Sequence, residues 1–128
     1  MITPHASGGA ASQLSAPAHW AERVALTHLE SKGWRLLASN YRLRGSELDL
    51  VMAAAGTVVV VEVKQRKSAA YGHPAESISG PKLARLRAAA LHYVTYTLRR
   101  PEARVRLDAV LVLGTRERHT LTHIEGIA

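Results

Sequence analysis

Residues 58–63 read V-V-V-V-E-V, a nearly unbroken β-branched run of the kind that forms a strand covered on both faces. Before it, Leu48, Leu50 and Met52 fall at alternate positions, as on a neighbouring strand. Residues 53–57, with Gly56 among them, are short enough for a hairpin turn between the two. Upstream, Ala21, Val24, Ala25, His28 and Leu29 recur at three- and four-residue spacing, with Pro17 in position for a first turn and Gly33 as a stop, which predicts an amphipathic helix. Residues 34–41 predict a first strand. Gly80 and Pro81 open a second helix whose Leu83, Leu86, Ala90, Val94 and Leu98 face the core, and Pro101 ends it. Residues 104–113 alternate before running apolar and predict a fourth strand, and residues 121–124 a short edge strand. The order α-β-β-β-α-β-β predicts an α/β fold, with helices against a mixed sheet.

Polar residues interrupt this pattern where they are costly. Glu62 and Lys64 stand two apart on a strand, so they project side by side from one face. Asp49 lies thirteen residues before Glu62, and the hairpin folds it back beside that glutamate. Two close carboxylates repel at neutral pH, and a divalent cation relieves the repulsion. Hard oxygen donors suit Mg2+ or Mn2+, which take one or two protein carboxylates and keep several waters. Such an ion holds a phosphate oxygen and activates a water, while Lys64 orients that water or neutralises developing charge. The two neighbouring acids favour protonated Lys64, which argues against its being the general base. An Asp, Glu and Lys ion-pair network at a strand end is the alternative, and these residues alone leave both open.

The D-x(12)-E-x-K spacing on a hairpin resembles the PD-(D/E)XK nuclease superfamily. Within it, G-S-E-L-D-L-V followed by V-V-V-E-V-K-Q-R is similar to the YraN-like family of small bacterial proteins. The similarity continues through A-E at Ala21 and Glu22, S-N-Y-R-L-R before the acidic motif, the loop with Gly72 and Pro74, R-L-D-A-V from Arg106, and T-H-I-E-G from Thr122. It spans roughly residues 18–126 and implies a restriction endonuclease-like, Holliday junction resolvase-like fold. It also implies Asp49 and Glu62 as metal ligands, Lys64 as the catalytic lysine and Glu22 as a helical glutamate that joins the site. Three positions depart from the family pattern. Ser46 stands where glycine is common, Gln65 where threonine is common, and Pro81 near a frequent glutamine; these bear on substrate contacts more than on metal binding.

Composition narrows the classes. The chain has 128 residues, 47% of them hydrophobic, enough for one core: a single domain over residues 16–128 behind a disordered tail at residues 1–15. Without cysteine it has no disulfide framework or thiolate metal site, which agrees with a cytoplasmic location. No uninterrupted apolar run is long enough for a membrane helix, and the first residues lack the layout of a signal peptide. The net charge of +7 favours a nucleic-acid partner, DNA ahead of RNA, and basic residues flank the acidic motif: Arg42, Arg44, Arg66, Lys67, Lys82 and Arg85. The function expected is metal-dependent phosphodiester hydrolysis selecting nucleic-acid structure or ends rather than sequence. Two other classes remain, a non-catalytic nucleic-acid-binding module of the same fold and a protein-interaction scaffold; a homodimer or protein partner is left open. His119 and His123 would lie about 13 Å apart along a strand, too far for one zinc ion. His28 reads as a core histidine, Tyr71 and His73 as loop residues near the site, and Asp108 as a structural partner of the arginines around it.

Overall fold

The computed structural model describes residues 19–68 and 78–127. The elements are α1 (Trp20–Ser31), β1 (Arg35–Leu43), β2 (Ser46–Ala54), β3 (Thr57–Arg66), α2 (Gly80–His92), a π-helical turn (Tyr93–Thr97), β4 (Arg104–Gly114) and β5 (His119–Ile124). Their order is the one the hydrophobic pattern predicts. Residues 1–18, with Pro17 and the expected tail, and the loop holding Tyr71, Gly72, His73 and Pro74 lie outside the described residues.

Five strands form one mixed sheet in the order β1-β2-β3-β4-β5, antiparallel except for the parallel pair β3 and β4. Two glycine-containing turns build its first half. Arg44 and Gly45 join β1 to β2 and Ala55 and Gly56 join β2 to β3, all four with positive φ (45°, 81°, 48° and 85°). Two successive positive φ angles are what a two-residue hairpin needs to match the right-handed twist of its strands.

The β-branched run of β3 is buried on both faces, as expected. Val58 and Val60 meet α2 through Leu86, Ala89, Ala90 and Val94. Val59 and Val61 meet α1 through Ala21, Ala25 and Leu29. Each buried Val or Leu contributes roughly 1.5–3 kcal/mol, so the middle of β3 anchors both layers. The helix starts are capped by side chains: His19 Nδ1 accepts from the Ala21 N–H at 3.0 Å, and Ser79 Oγ from the Lys82 N–H at 3.2 Å. The predicted second helix departs from α geometry at Tyr93, where the π-helical turn inserts an extra residue per turn. Tyr93 is thereby buried alongside Val94, and it meets the Tyr41 ring edge-on at 5.0 Å.

Candidate functional site

The β2–β3 ladder runs from Ala54 opposite Thr57 to Leu50 opposite Val61, and no further. Beyond that pair, the Val63 N–H donates to Asp49 Oδ2 at 2.9 Å. A carboxylate therefore takes the place of a strand carbonyl, and the bond fixes Asp49 next to Glu62. Glu62 and Lys64 continue the face begun by Val58 and Val60, which α2 covers. Glu62 is 6% exposed, with Lys82 Nζ of α2 at 2.6 Å and Lys64 Nζ at 3.7 Å from its Oε2. From the other layer, Glu22 accepts from Asn40 Nδ2 at 3.1 Å. Ser46, Glu47, Asp49, Glu62, Lys82 and Arg85 line an open cavity of about 300 Å³. A cavity of about 370 Å³ between Arg35, Leu98 and Arg100, at the other end of β3, is lined by no acidic side chain.

Electrostatics follow from this crowding. Burial pushes the Asp49 carboxyl up to about 8, and Glu62, Glu22 and Glu47 add to the shift while the Val63 N–H opposes it. Lys64 is lowered, first by burial and then by a hydrogen bond and charge repulsion from Lys82, against the pull of Glu62. This reverses the expectation that neighbouring acids hold Lys64 protonated. Burial, with a second cation unforeseen at this spot, outweighs them. Burial also acts against Lys82, but Glu62, Lys64 and Asp49 together hold it above its ordinary value. The two lysines are shifted in opposite directions, Lys64 down and Lys82 up.

Among the described residues no three His, Asp or Glu side chains form a cluster able to hold a metal ion. Magnesium does not require one, since it is commonly held by one or two carboxylates and several waters. Asp49 and Glu62 are hard oxygen donors in a cavity open to solvent, and their mutual repulsion is what a divalent cation offsets. The chemistry of the pair fits Mg2+ or Mn2+.

The sequence-derived residues fall into three groups. Asp49, Glu62 and Lys64 converge, and Glu22 lies close enough to raise Asp49. Arg44 is at the β1–β2 turn, Arg85 lines the cavity, and Arg66 and Lys67 are exposed at the end of β3. Arg42 is tied to Glu47 at 3.7 Å. Lys82, read from sequence as a nucleic-acid contact, also pairs with Glu62 of the carboxylate site. Glu47 and Asn40 were missed. Glu47 stands two before Asp49 on the same strand, and that periodicity could have found it; nothing local marks Asn40. Of the three departures from the family pattern, Ser46 lines the cavity, Gln65 Nε2 donates to the Gly114 carbonyl at 2.8 Å, and Pro81 lies in the first turn of α2.

Asp108 belongs to a separate cluster. Fully buried, it accepts from Arg106 Nε at 2.8 Å, Arg106 Nη2 at 2.9 Å and the Gly126 N–H at 3.0 Å, with His123 Nε2 at 2.8 Å. His123 Nδ1 lies 2.7 Å from Lys32 Nζ, so the imidazole bridges a cation and an anion. His28 is half-buried near His123, and burial, Lys32 and His123 lower its pKa. His119 is apart from this cluster, against Trp20 and the Thr115 carbonyl. These contacts give Asp108 the structural role the sequence suggested.

Comparison with known proteins agrees with the resemblance. The model of uncharacterised protein family UPF0102 matches residues 21–112. A UPF0102 protein of Thermus thermophilus is 47% identical over 105 residues, covering 82% of this chain and 90% of its own. One from Beutenbergia cavernae is 42% identical over 110 residues, covering 84% and 92%. One from Deinococcus radiodurans is 41% identical over 95 residues, covering 73% and 77%. The chain therefore belongs to uncharacterised protein family UPF0102, the YraN-like family whose motifs its sequence carries.

Proposed function

We propose that this protein is a metal-dependent nuclease that hydrolyses phosphodiester bonds, in DNA ahead of RNA. The observation that carries the reading is the pairing of Asp49 with Glu62 at the splayed end of the β2–β3 hairpin, against Lys64 and Lys82. Burial first, with Glu62, Glu22 and Glu47 around it, pushes the Asp49 carboxyl up to about 8, a perturbation of the kind that clusters at functional sites.

Asp49 and Glu62 would hold Mg2+ or Mn2+, which supplies Lewis acidity and a water of lowered pKa. Lys64, beside Glu62, would orient the attacking water toward phosphorus. Lys82 sets its ammonium against the non-bridging oxygens, where negative charge grows. The phosphorus–oxygen bond opposite the water breaks as the water gives up one proton to solvent and the departing oxygen takes one up, leaving a phosphomonoester and a hydroxyl. The net charge of +7 and the exposed Arg44, Arg66 and Lys67 support a polyanionic substrate. No helix among the described residues is long and apolar enough to cross a membrane.

The test is incubation of the purified protein with duplex, single-stranded, flapped and branched DNAs, with manganese and with EDTA. Manganese-dependent cleavage lost in both Asp49→Asn and Glu62→Gln is the expected result. Salt-dependent binding without cleavage of any substrate assigns the fold to a nucleic-acid-binding module. Absence of binding assigns it to a protein scaffold.

A further inference from the structure

A second surface at the same end of the sheet combines aromatic and basic groups. Trp20 opens α1 with His19 stacked beside it, ring centroids 5.8 Å apart and planes 27° from parallel. On another side His119 of β5 approaches the indole at 5.5 Å. Trp20 is half-buried, and its remaining surface lines a cavity of about 380 Å³ with Arg23, Val24, Thr27 and Arg116. That volume falls within the roughly 300–1,000 Å³ typical of small-molecule sites. Planar rings with guanidinium groups around them suit a nucleobase and its phosphate, because every base has a face to stack and every nucleotide a charge to neutralise.

The fold joins this surface to the carboxylate site. Trp20 lies two residues before Glu22, in the first turn of α1, and Glu22 contributes to the field on Asp49. The β4–β5 loop that carries Arg116 and leads to His119 follows Gly114, whose carbonyl accepts from Gln65, one residue beyond Lys64.

We propose that Trp20, extended by His19 and His119 and flanked by Arg23 and Arg116, is a stacking platform for an unpaired nucleotide of the substrate. The substrate class is then nucleic acid with a single-stranded segment adjoining the scissile bond, such as a flap, a splayed junction or a free end. The inference rests on the nuclease reading for its account of cleavage, but stacking is measurable without turnover.

The full-length protein is titrated in EDTA with a fluorescent oligo-dT and with a blunt duplex of equal length, following anisotropy and tryptophan emission. Stacking on the indole quenches emission with oligo-dT. Trp20→Ala weakens oligo-dT binding at least about tenfold and leaves duplex binding within about twofold. Trp20→Phe keeps the apolar contact with the core and a stacking face, so it retains most of the affinity but loses the quench, which separates stacking from folding. Arg116→Ala, on an exposed loop, weakens oligo-dT binding several-fold. Equal losses for both DNAs, or a Trp20→Phe protein that still shows the full quench, would overturn the proposal. Wild-type emission unmoved by saturating oligo-dT would overturn it too, and would leave the surface to a protein partner. Cleavage that depends on Asp49 but not on Trp20 would sink the platform and spare the nuclease. Quenching without any metal-dependent cleavage would do the opposite.

Discussion

Asp49→Asn is expected to stabilise the metal-free protein, by an amount that grows with pH. The folded carboxyl is pushed up to about 8, whereas an unfolded aspartate ionises near 3.8. Between those values the folded state binds more protons than the unfolded one, so wild-type stability falls as pH rises from about 4 to about 8 and levels off above. At roughly 1.4 kcal/mol per pKa unit, the ceiling on this loss is about 6 kcal/mol. Asp49 is half-buried, and solvent and side-chain relaxation reduce it to about 2–3 kcal/mol. Asparagine cannot ionise, yet its side-chain oxygen still accepts from the Val63 N–H, so the variant escapes the penalty and keeps the bond. Urea unfolding in EDTA at pH 5, 7 and 9 measures the effect. The variant should lead the wild type by about 1–1.5 kcal/mol at pH 5, where the unfolded aspartate is already ionised, and by about 2–3 kcal/mol at pH 9. A stability gap that stays constant or narrows across that range would refute the account of Asp49 as a buried, crowded carboxyl. Saturating Mg2+ or Mn2+ should then raise the melting temperature of the wild type and leave Asp49→Asn unmoved. A ligand at ten times its dissociation constant contributes roughly 1.4 kcal/mol, and the wild-type response should strengthen with pH because the ion displaces a proton.

Asp108→Asn should destabilise the fold by about 3 kcal/mol in urea titrations, because it leaves Arg106 short of its partner in a half-buried setting. The Arg106, Gly126 and His123 bonds outweigh burial and lower Asp108, so its contribution is present above about pH 4 and is lost as pH falls through the lowered value; acid unfolding of the wild type should be steeper than that of the variant. Ala55→Asn should raise stability by roughly 0.5–1 kcal/mol, since Ala55 sits at a φ of 48° in a two-residue turn that favours asparagine; a lower melting temperature would contradict that turn assignment. Lys64→Ala and Lys64→Arg should both lower kcat by about a hundredfold or more with substrate affinity within a few fold, as expected of a group acting at the transition state; unchanged turnover would remove Lys64 from the chemistry.

By itself the sequence determined the order of elements, the hairpin at Gly56 and the convergence of Asp49, Glu62 and Lys64, because these depend on interactions close along the chain. Strand alternation makes Glu62 and Lys64 neighbours whatever packs on them, and Gly45 and Gly56 allow the turns whatever the rest of the sheet does. The β-branched run of β3 demanded cover on both faces, and α1 and α2 supply it. Other features depended on where distant segments came to rest. The face of α2 that meets Glu62 is set by helix packing, so Lys82 read from sequence as a nucleic-acid contact, and its 2.6 Å approach to that carboxylate came only with the tertiary structure. Burial first and Lys82 second lower Lys64 against the pull of Glu62, and both follow from how remote elements pack rather than from the strand's own sequence. The end of the β2–β3 ladder at Leu50 is likewise tertiary, and it frees the Val63 N–H for Asp49. The same holds for Trp20 and His119, which stand ninety-nine positions apart in the chain and meet only because β5 closes the sheet beside α1. Local chemistry selected which residues carry charge or an aromatic ring. Packing of remote elements decided which of those groups touch, and so what they do.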